Sequence, residues 1–310
     1  MLMNKLVAGT RRSLLARTQT GMVMTMLSDI FPDTEIDEKI IVTKGDRILD
    51  SPLSKIGDKG LFTREIEEQL IGGEIDFAVH SFKDLPTELP DGLEIGAVLA
   101  REKPDDVLVA GPNATLENLP TGSKVGTGSL RRKAQLLRIR PDLQPTEIRG
   151  NVNTRIEKFE SGEYDAVILA AAGIIRIGVE DKISQFIAHP EWHHAVAQGA
   201  IAVEIRSGDD RIKSFIKKLD HADTRHATDA ERAFMLRLQG GCQVPVGVRT
   251  SIEDSTLTMS GMVSGLEGEP YLQDEISGDV SRAGKLGIQL ADKLLARGAE
   301  KILDSIRSGE

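Results

Sequence analysis

Six arginines, a Lys-Asp pair and a single cysteine hold the chemical potential of this 310-residue chain. Arg11, Arg131, Arg132, Arg149, Arg155 and Arg176 fall at predicted strand ends or first helical turns. A guanidinium binds a carboxylate through two parallel hydrogen bonds. Thr127-Gly128-Ser129 and Gly150-Asn151 precede predicted helices, whose free N–H groups add to an anion site. In a chain of net charge -9, such clustering points to a ligand with several carboxylates or phosphates. Each arginine taken alone reads as a solvated surface charge. The glycine-rich turns lack the Lys-Ser/Thr ending of a phosphate loop, and no complete dinucleotide fingerprint is present.

The Lys-Asp pair lies in His80-Ser81-Phe82-Lys83-Asp84-Leu85-Pro86. A predicted strand ends here, which puts the Asp84 carboxylate over the expected ligand cleft. The same spacing suits an aspartate capping a turn before Pro86. His80 reads as support for the core rather than as a base. Cys242 sits in Gly240-Gly241-Cys242-Gln243-Val244-Pro245, where two glycines allow close approach of other atoms. It is a nucleophile or a small buried hydrophobe. No protease signature surrounds it, although His221 and His226 are near in sequence. With six histidines and one cysteine, a structural zinc site has little support, and no metal is expected.

The elements that must position these groups begin as alternating strands and helices. Lys5 to Ala8 reads as a strand, Ser13 to Leu27 as a helix, and Ile40-Ile41-Val42 as a short buried strand. Phe62 to Leu70 reads as helical and Asp76 to His80 as a strand. The alternation predicts a mostly parallel sheet with helices on its faces. A second stretch echoes the first: Gly9-Thr10-Arg11-Arg12-Ser13-Leu14 against Gly126-Thr127-Gly128-Ser129-Leu130, and Gly73-Glu74-Ile75-Asp76 against Gly162-Glu163-Tyr164-Asp165. Two similar α/β domains with different insertions account for the echoes, and so does chance recurrence of strand-Gly-helix patterns. Ala200 to Ile205 reads as a strand returning to the first domain. From about Asp209 the character changes. Predicted helices, Ala227 to Leu238 and Lys285 to Ile306, bracket the strands Val244 to Arg249 and Thr256 to Met262. Ala227, Ala230, Phe234 and Leu238 form one apolar helix face.

Composition narrows the function classes. A chain 40% hydrophobic and 28% charged is an ordinary globular balance, and its negative charge disfavours non-specific nucleic-acid binding. One cysteine permits no intramolecular disulfide. Arg11-Arg12-Ser13-Leu14-Leu15 hints at a twin-arginine signal, but polar residues follow instead of an apolar core. The longest apolar run, Ala166 to Ile175, is too short to cross a bilayer. The expected location is the cytoplasm.

Taken in order, the segments resemble the porphobilinogen deaminase (hydroxymethylbilane synthase) family. The match includes Thr10 to Ala16, Lys55 through Gly60-Leu61-Phe62, Val79 to Pro86, Val125 to Arg132, Arg149-Gly150-Asn151-Val152 through Arg155, and Gly240 to Pro245. The last sixty or so residues are only weakly similar. The resemblance implies two α/β domains like type II periplasmic binding proteins, with the active site in the cleft between them. A smaller α+β C-terminal domain completes the fold. The implied boundaries are 1–99 with 200–217, 100–199, and 218–310. It also implies a transferase of tetrapyrrole biosynthesis, monomeric, acting on porphobilinogen, with a dipyrromethane cofactor in thioether linkage to Cys242. Lys83, Thr127, Ser129, Arg131 and Arg132 would hold the cofactor. Arg11, Ser13, Arg149, Arg155 and Arg176 would hold substrate and the growing chain. Asp84 would be catalytic. Gly128, Ala197, Phe82 and Asp105 depart from the family pattern without removing a catalytic group. A non-catalytic two-lobed anion-binding protein and a cysteine hydrolase are the competing readings; the first predicts an export signal and the second a Cys–His pair.

Overall fold

The computed structural model describes residues 5–47, 60–240 and 244–308. Cys242 and most of the Lys55–Gly60 motif lie outside the described residues. The chain divides into two compact units. Of the described residues, the first holds 5–47, 60–102 and 199–225, and the second holds 103–198 and 226–308.

In chain order, β1 (Lys5–Arg11) leads into α1 (Leu14–Ile30), then β2 (Glu35–Ile41), the single turn α2 (Lys44–Arg47), α3 (Arg64–Ile71), β3 (Phe77–Ser81) and β4 (Leu93–Val98). The second stretch runs β5 (Asp106–Ala110), β6 (Lys124–Gly126), α4 (Leu130–Ile139), β7 (Gln144–Thr146), α5 (Val152–Glu160), β8 (Ala166–Ala170), α6 (Ala171–Arg176) and β9 (Gln185–Phe186). β10 (Ile201–Arg206), α7 (Asp210–Ile216) and α8 (Ala222–Arg237) follow. The chain ends with β11 (Val246–Glu253), β12 (Thr256–Ser264), β13 (Tyr271–Asp279), α9 (Ala283–Ala296) and α10 (Ala299–Ser308).

Two five-stranded sheets share one plan. Their orders are β2-β1-β3-β10-β4 and β7-β6-β8-β5-β9. In each, a first strand lies between two parallel neighbours, and an antiparallel strand follows: β10 against β3, β5 against β8. Each sheet is therefore mostly parallel, with four strands running one way and a single strand, β10 or β5, running against them. Side chains alternate across each sheet. Leu6, Ala8, Phe77 and Val79 pack with Val23 and Leu27 of α1, while Ala78 packs with Ile66 and Leu70 of α3. The second sheet repeats this, with Val125 and Ile168 on the Leu136 face and Val167 and Leu169 on the Ile156 face. The echo extends to hydrogen bonds. Asp76 Oδ2 accepts from Val7 N at 2.8 Å, and Asp165 Oδ2 accepts from Lys124 N at 2.6 Å.

Three expectations need correction. Ile40 and Val42 are 46% and 37% exposed, not buried, because β2 is an edge strand with partners on one side alone. The helix predicted over Lys285 to Ile306 is two helices, separated at Gly298, whose φ of +103° no helix accommodates. A third strand, β13, completes an antiparallel sheet β11-β12-β13. The remaining α8 expectation holds: Ala227, Ala230, Phe234 and Leu238 are all buried.

Candidate active site

In both sheets the corner after the strand with two parallel neighbours, β1 or β6, is built by a serine. Ser13 Oγ accepts from Ala16 N at 3.3 Å, and Ser129 Oγ accepts from Arg132 N at 3.4 Å. Each serine thus satisfies one of the free N–H groups that open its helix. Asn151 caps α5 in the same way, with Oδ1 accepting from Thr154 N at 3.0 Å.

In the first unit, Arg11, Ser13, Phe62, His80, Ser81 and Asp84 line one pocket. Arg11 Nη2 lies 2.6 Å from Asp46 Oδ1, and its guanidinium stacks 4.2 Å from the centroid of Phe62. Burial pushes the Asp46 carboxyl up, but the Arg11 and Thr43 contacts outweigh it and hold the group below the usual carboxylate range. Asp84 closes a single 3₁₀ turn, Phe82–Asp84, directly after β3. Buried Phe82 anchors that turn, its N donating to Ala200 O at 3.0 Å, while Asp84 is exposed and Lys83 half-buried.

In the second unit the arginines of α4 turn inward. Arg131 and Arg132 are 5% and 6% exposed, and both bind Asp106, which is fully buried at the start of β5. Asp106 accepts six hydrogen bonds. They come from Arg131 Nη1 and Nη2 (2.7 and 3.4 Å), Arg132 Nε and Nη2 (3.0 and 2.6 Å), Trp192 Nε1 (2.9 Å) and Gln198 Nε2 (2.8 Å). Burial opposes its charge, yet the two guanidiniums hold the carboxyl well below its usual range. Arg131 also donates to His193 O, and Arg132 Nη1 to Ile168 O at 2.9 Å. One carboxylate against two guanidiniums leaves a unit of positive charge uncompensated. Thr127, also buried, and Ser129 stand beside them at the helix start.

The next loop brings a second group alongside. Thr127 N donates to Thr146 O at 2.8 Å, and a Cβ on Gly128 would meet Ile148 O at 3.2 Å and Glu147 Oε1 at 3.3 Å. A larger residue at 128 would crowd this loop. Arg149 pairs with Glu147 at 2.9 Å, and its Nη2 is buried with no hydrogen-bond partner among the described residues. Arg155 Nε donates to Gly150 O at 2.8 Å. Arg176 ends α6, half-buried. Thr127, Ser129, Arg131, Arg132, Arg149 and Arg155 thus gather at the carboxyl ends of β6 and β7. Arg11, Ser13, Lys83 and Asp84 gather at the corresponding end of the first sheet.

Among the departures from the family pattern, Ala197 adopts φ +55°, a left-handed conformation natural to glycine, with its N–H donating to Glu231 Oε2 at 2.6 Å. Sequence reasoning missed Asp106. Its signal was an acidic residue opening the apolar run Val107-Leu108-Val109. Among the described residues, no group of three or more His, Cys, Asp or Glu could hold a metal ion, and no helix is long and apolar enough to cross a membrane.

Residues 6–214 match the family profile "porphobilinogen deaminase, dipyromethane cofactor binding domain", and residues 226–296 match that family's C-terminal domain. The chain is 50% identical to the porphobilinogen deaminase of Synechococcus elongatus over 301 residues, covering 96% of this chain and 94% of that protein. It is 46% identical to that of Desulforamulus reducens, covering 99% of each, and 48% identical to that of Carboxydothermus hydrogenoformans, covering 98% and 97%. Among solved structures, the alkanesulfonate-binding protein of Xanthomonas axonopodis aligns over 73% of each chain with 16% identity and a TM-score of 0.38, which adds nothing to the topology above. By the profile match and by near-full-length identity of about half, the chain belongs to the porphobilinogen deaminase family.

Proposed function

We propose that this enzyme condenses four porphobilinogen molecules head to tail, releasing ammonia at each addition, and frees hydroxymethylbilane by hydrolysis. The observation that carries the reading is the buried Arg131–Arg132 pair facing the single carboxylate of Asp106. Its surplus positive charge, together with the unpartnered Arg149 Nη2, suits a ligand bearing acetate and propionate groups. A dipyrromethane fits that chemistry. When bound, in thioether linkage to Cys242, it supplies the nucleophilic carbon on which the product is built.

Lys83, Thr127, Ser129, Arg131 and Arg132 hold the carboxylates of this group. Arg11, Ser13, Arg149, Arg155 and Arg176 hold those of incoming substrate and the lengthening chain, each unit adding two more. Asp84 accepts the pyrrole N–H of the substrate and stabilises the positive charge that develops as ammonia departs. Its exposure at the pocket and the anchoring of its turn by Phe82 support that role. The protein acts as a cytoplasmic monomer of three domains, 1–99 with 200–217, 100–199, and 218–310.

The intact mass of the purified protein tests the reading. It should exceed the sequence mass by one dipyrromethane, and acidified Ehrlich's reagent should colour the protein. Cys242→Ser should abolish both. An unmodified chain that turns over porphobilinogen normally would sink the proposal, and a primer-free chain that only binds polycarboxylates would favour a two-lobed binding protein. Asp84→Ala should keep fold and primer while losing about 10²–10⁴ in rate. Asp84→Glu should retain some turnover and, with limited substrate, show a mass ladder of one deaminated pyrrole per step. A turn-capping role alone predicts a lowered Tm with near-normal turnover per folded Asp84→Ala molecule.

A further inference from the structure

His80 lies on β3 and lines the pocket that holds Asp84. Its Nε2 is 3.0 Å from Glu204 Oε2 on β10, with side chains 4% and 0% exposed. Among the described residues, no hydrogen bond engages Nδ1 of the ring. Glu204 Oε1 is buried with no partner among the described residues. Glu67, on α3, faces the same pair: burial and the Glu204 charge push its carboxyl up.

The second sheet provides an internal control. Aligned through Asp76 and Asp165, His80 corresponds to Leu169, and Glu204, opposite Ala78, corresponds to Val109, opposite Val167. Leu169 and Val109 are buried hydrophobics. The shared fold therefore requires no ionisable group at either place. Burying such groups is costly, and apolar residues of similar volume are commonly as stable or more so. Among the described residues of the two sheets, the cluster occurs in the one whose strand β3 feeds Asp84.

We infer that His80 is a proton acceptor of this pocket and that Glu204 is the residue that positions it. The inference rests on the condensing reaction proposed above. In each addition the C–N bond of the substrate's protonated aminomethyl group breaks and its electron pair leaves on nitrogen as ammonia. A C–C bond forms from the free α-carbon of the acceptor pyrrole. That carbon's C–H bond then breaks, its electrons restoring the ring, and its proton needs a base. Asp84 is engaged by the substrate cation, and Arg11 by Asp46. His80 Nδ1 takes the proton and passes it to ammonia, which departs as ammonium. The charged groups acting on this site are Glu204 from β10, Glu67 and Arg64 from α3, and Asp84 and Arg11 across the pocket.

The test uses wild-type holoenzyme first. Primer mass and porphobilinogen consumption check the underlying reaction separately, so its failure is visible before any variant is made. Histidine NMR titration of the holoenzyme should give a His80 midpoint that coincides with the acid limb of kcat/KM. Glu204→Gln removes the carboxylate beside Nε2. It should move both midpoint and limb to lower pH by about one unit or more, with primer mass unchanged. Glu204→Asp should leave them near wild type. His80→Gln should erase the limb and lower kcat by about 10²-fold or more. A wild-type limb that does not follow the His80 midpoint overturns the inference even if every variant misfolds. So does a Glu204→Gln enzyme with a lowered Tm and an unmoved limb.

Discussion

The first and second α/β sheets place the same corner to opposite uses. Counting from the capping serines, Leu15 and Ala16 occupy the places of Arg131 and Arg132. Through the registers Ile201 opposite Ser81 and Asp106 opposite Ala170, Ile201 occupies that of Asp106. Three uncharged residues in one sheet are replaced by a buried charged triad in the other. Gln19 and Gln135, six residues after their serines, are buried in both. The matching strand order and the matching serine caps show that the plan tolerates either set. Stability of this plan therefore does not by itself demand the triad. Conversely, the first sheet holds its ionisable pair, His80 and Glu204, where the second has Leu169 and Val109. Each sheet is charged at one place and apolar at the other.

Exchange experiments can break this comparison. Asp106→Asn should have the largest effect, destabilising by about 3–5 kcal/mol because two guanidiniums are left buried without their counter-ion. Denaturant unfolding measures it. The triple variant Asp106→Ile, Arg131→Leu, Arg132→Ala gives the second corner the residues of the first. It should fold with stability near wild type and lack the primer by intact mass. A triple variant that still carries primer, or an Asp106→Asn protein as stable as wild type, would remove the triad's assigned role.

A smaller effect should separate the paired glycines. A Cβ on Gly126 would lie 2.9 Å from Val167 Cγ1 and 3.0 Å from the ring of Tyr164, neither of which can swing away. On Gly9 it would meet Ile75 Cδ1 at 2.4 Å, the free end of a flexible chain. Gly126→Ala should cost about 1–3 kcal/mol and Gly9→Ala less, read from Tm or denaturant midpoints. The reverse order would show that Ile75 cannot yield and that Val167 and Tyr164 can.

Smallest are the carboxylates that tie each sheet's first strand. Asp76→Asn and Asp165→Asn each weaken a charge-assisted bond but keep an acceptor, so about 1 kcal/mol each is expected. Asp76 should cost more, since its bond to Val7 is partly buried and Arg206 and Arg211 lie 3.7 Å away. Equal, negligible losses would mean that the echo Gly-Glu-Ile-Asp and Gly-Glu-Tyr-Asp is without energetic content.

Local signals made the doubled plan readable. Ser13, Ser129 and Asn151 announce helix starts by side-chain chemistry that acts within three residues. Long-range pairing was not readable. Ile40-Ile41-Val42 looks buried, but strand position is decided by partners far away in sequence, and β2 falls at an edge. β13, with the run Gln273-Asp274-Glu275, carries no apolar alternation strong enough to mark a strand whose side chains are half-buried or exposed. Asp106 and Arg131 are 25 residues apart, and His80 and Glu204 are 124 apart. His80 read as core support because its partner Glu204 arrives only through β10.

That late arrival bears on how the protein is made. β10 lies between β3 and β4, yet it is separated from β4 by the whole of the second sheet. On the ribosome, at roughly 5–20 residues per second, about 5–20 s pass between synthesis of Val98 and of Ile201. Through that interval β3 and β4 have no strand between them, and their facing edges are open to pairing with other chains. The second sheet, wholly encoded between Asp106 and Phe186, can close while the first still waits. The nascent chain therefore completes its middle before its beginning. The hazard for misassembly falls on the Phe77–Ser81 strand that feeds the Phe82–Asp84 turn.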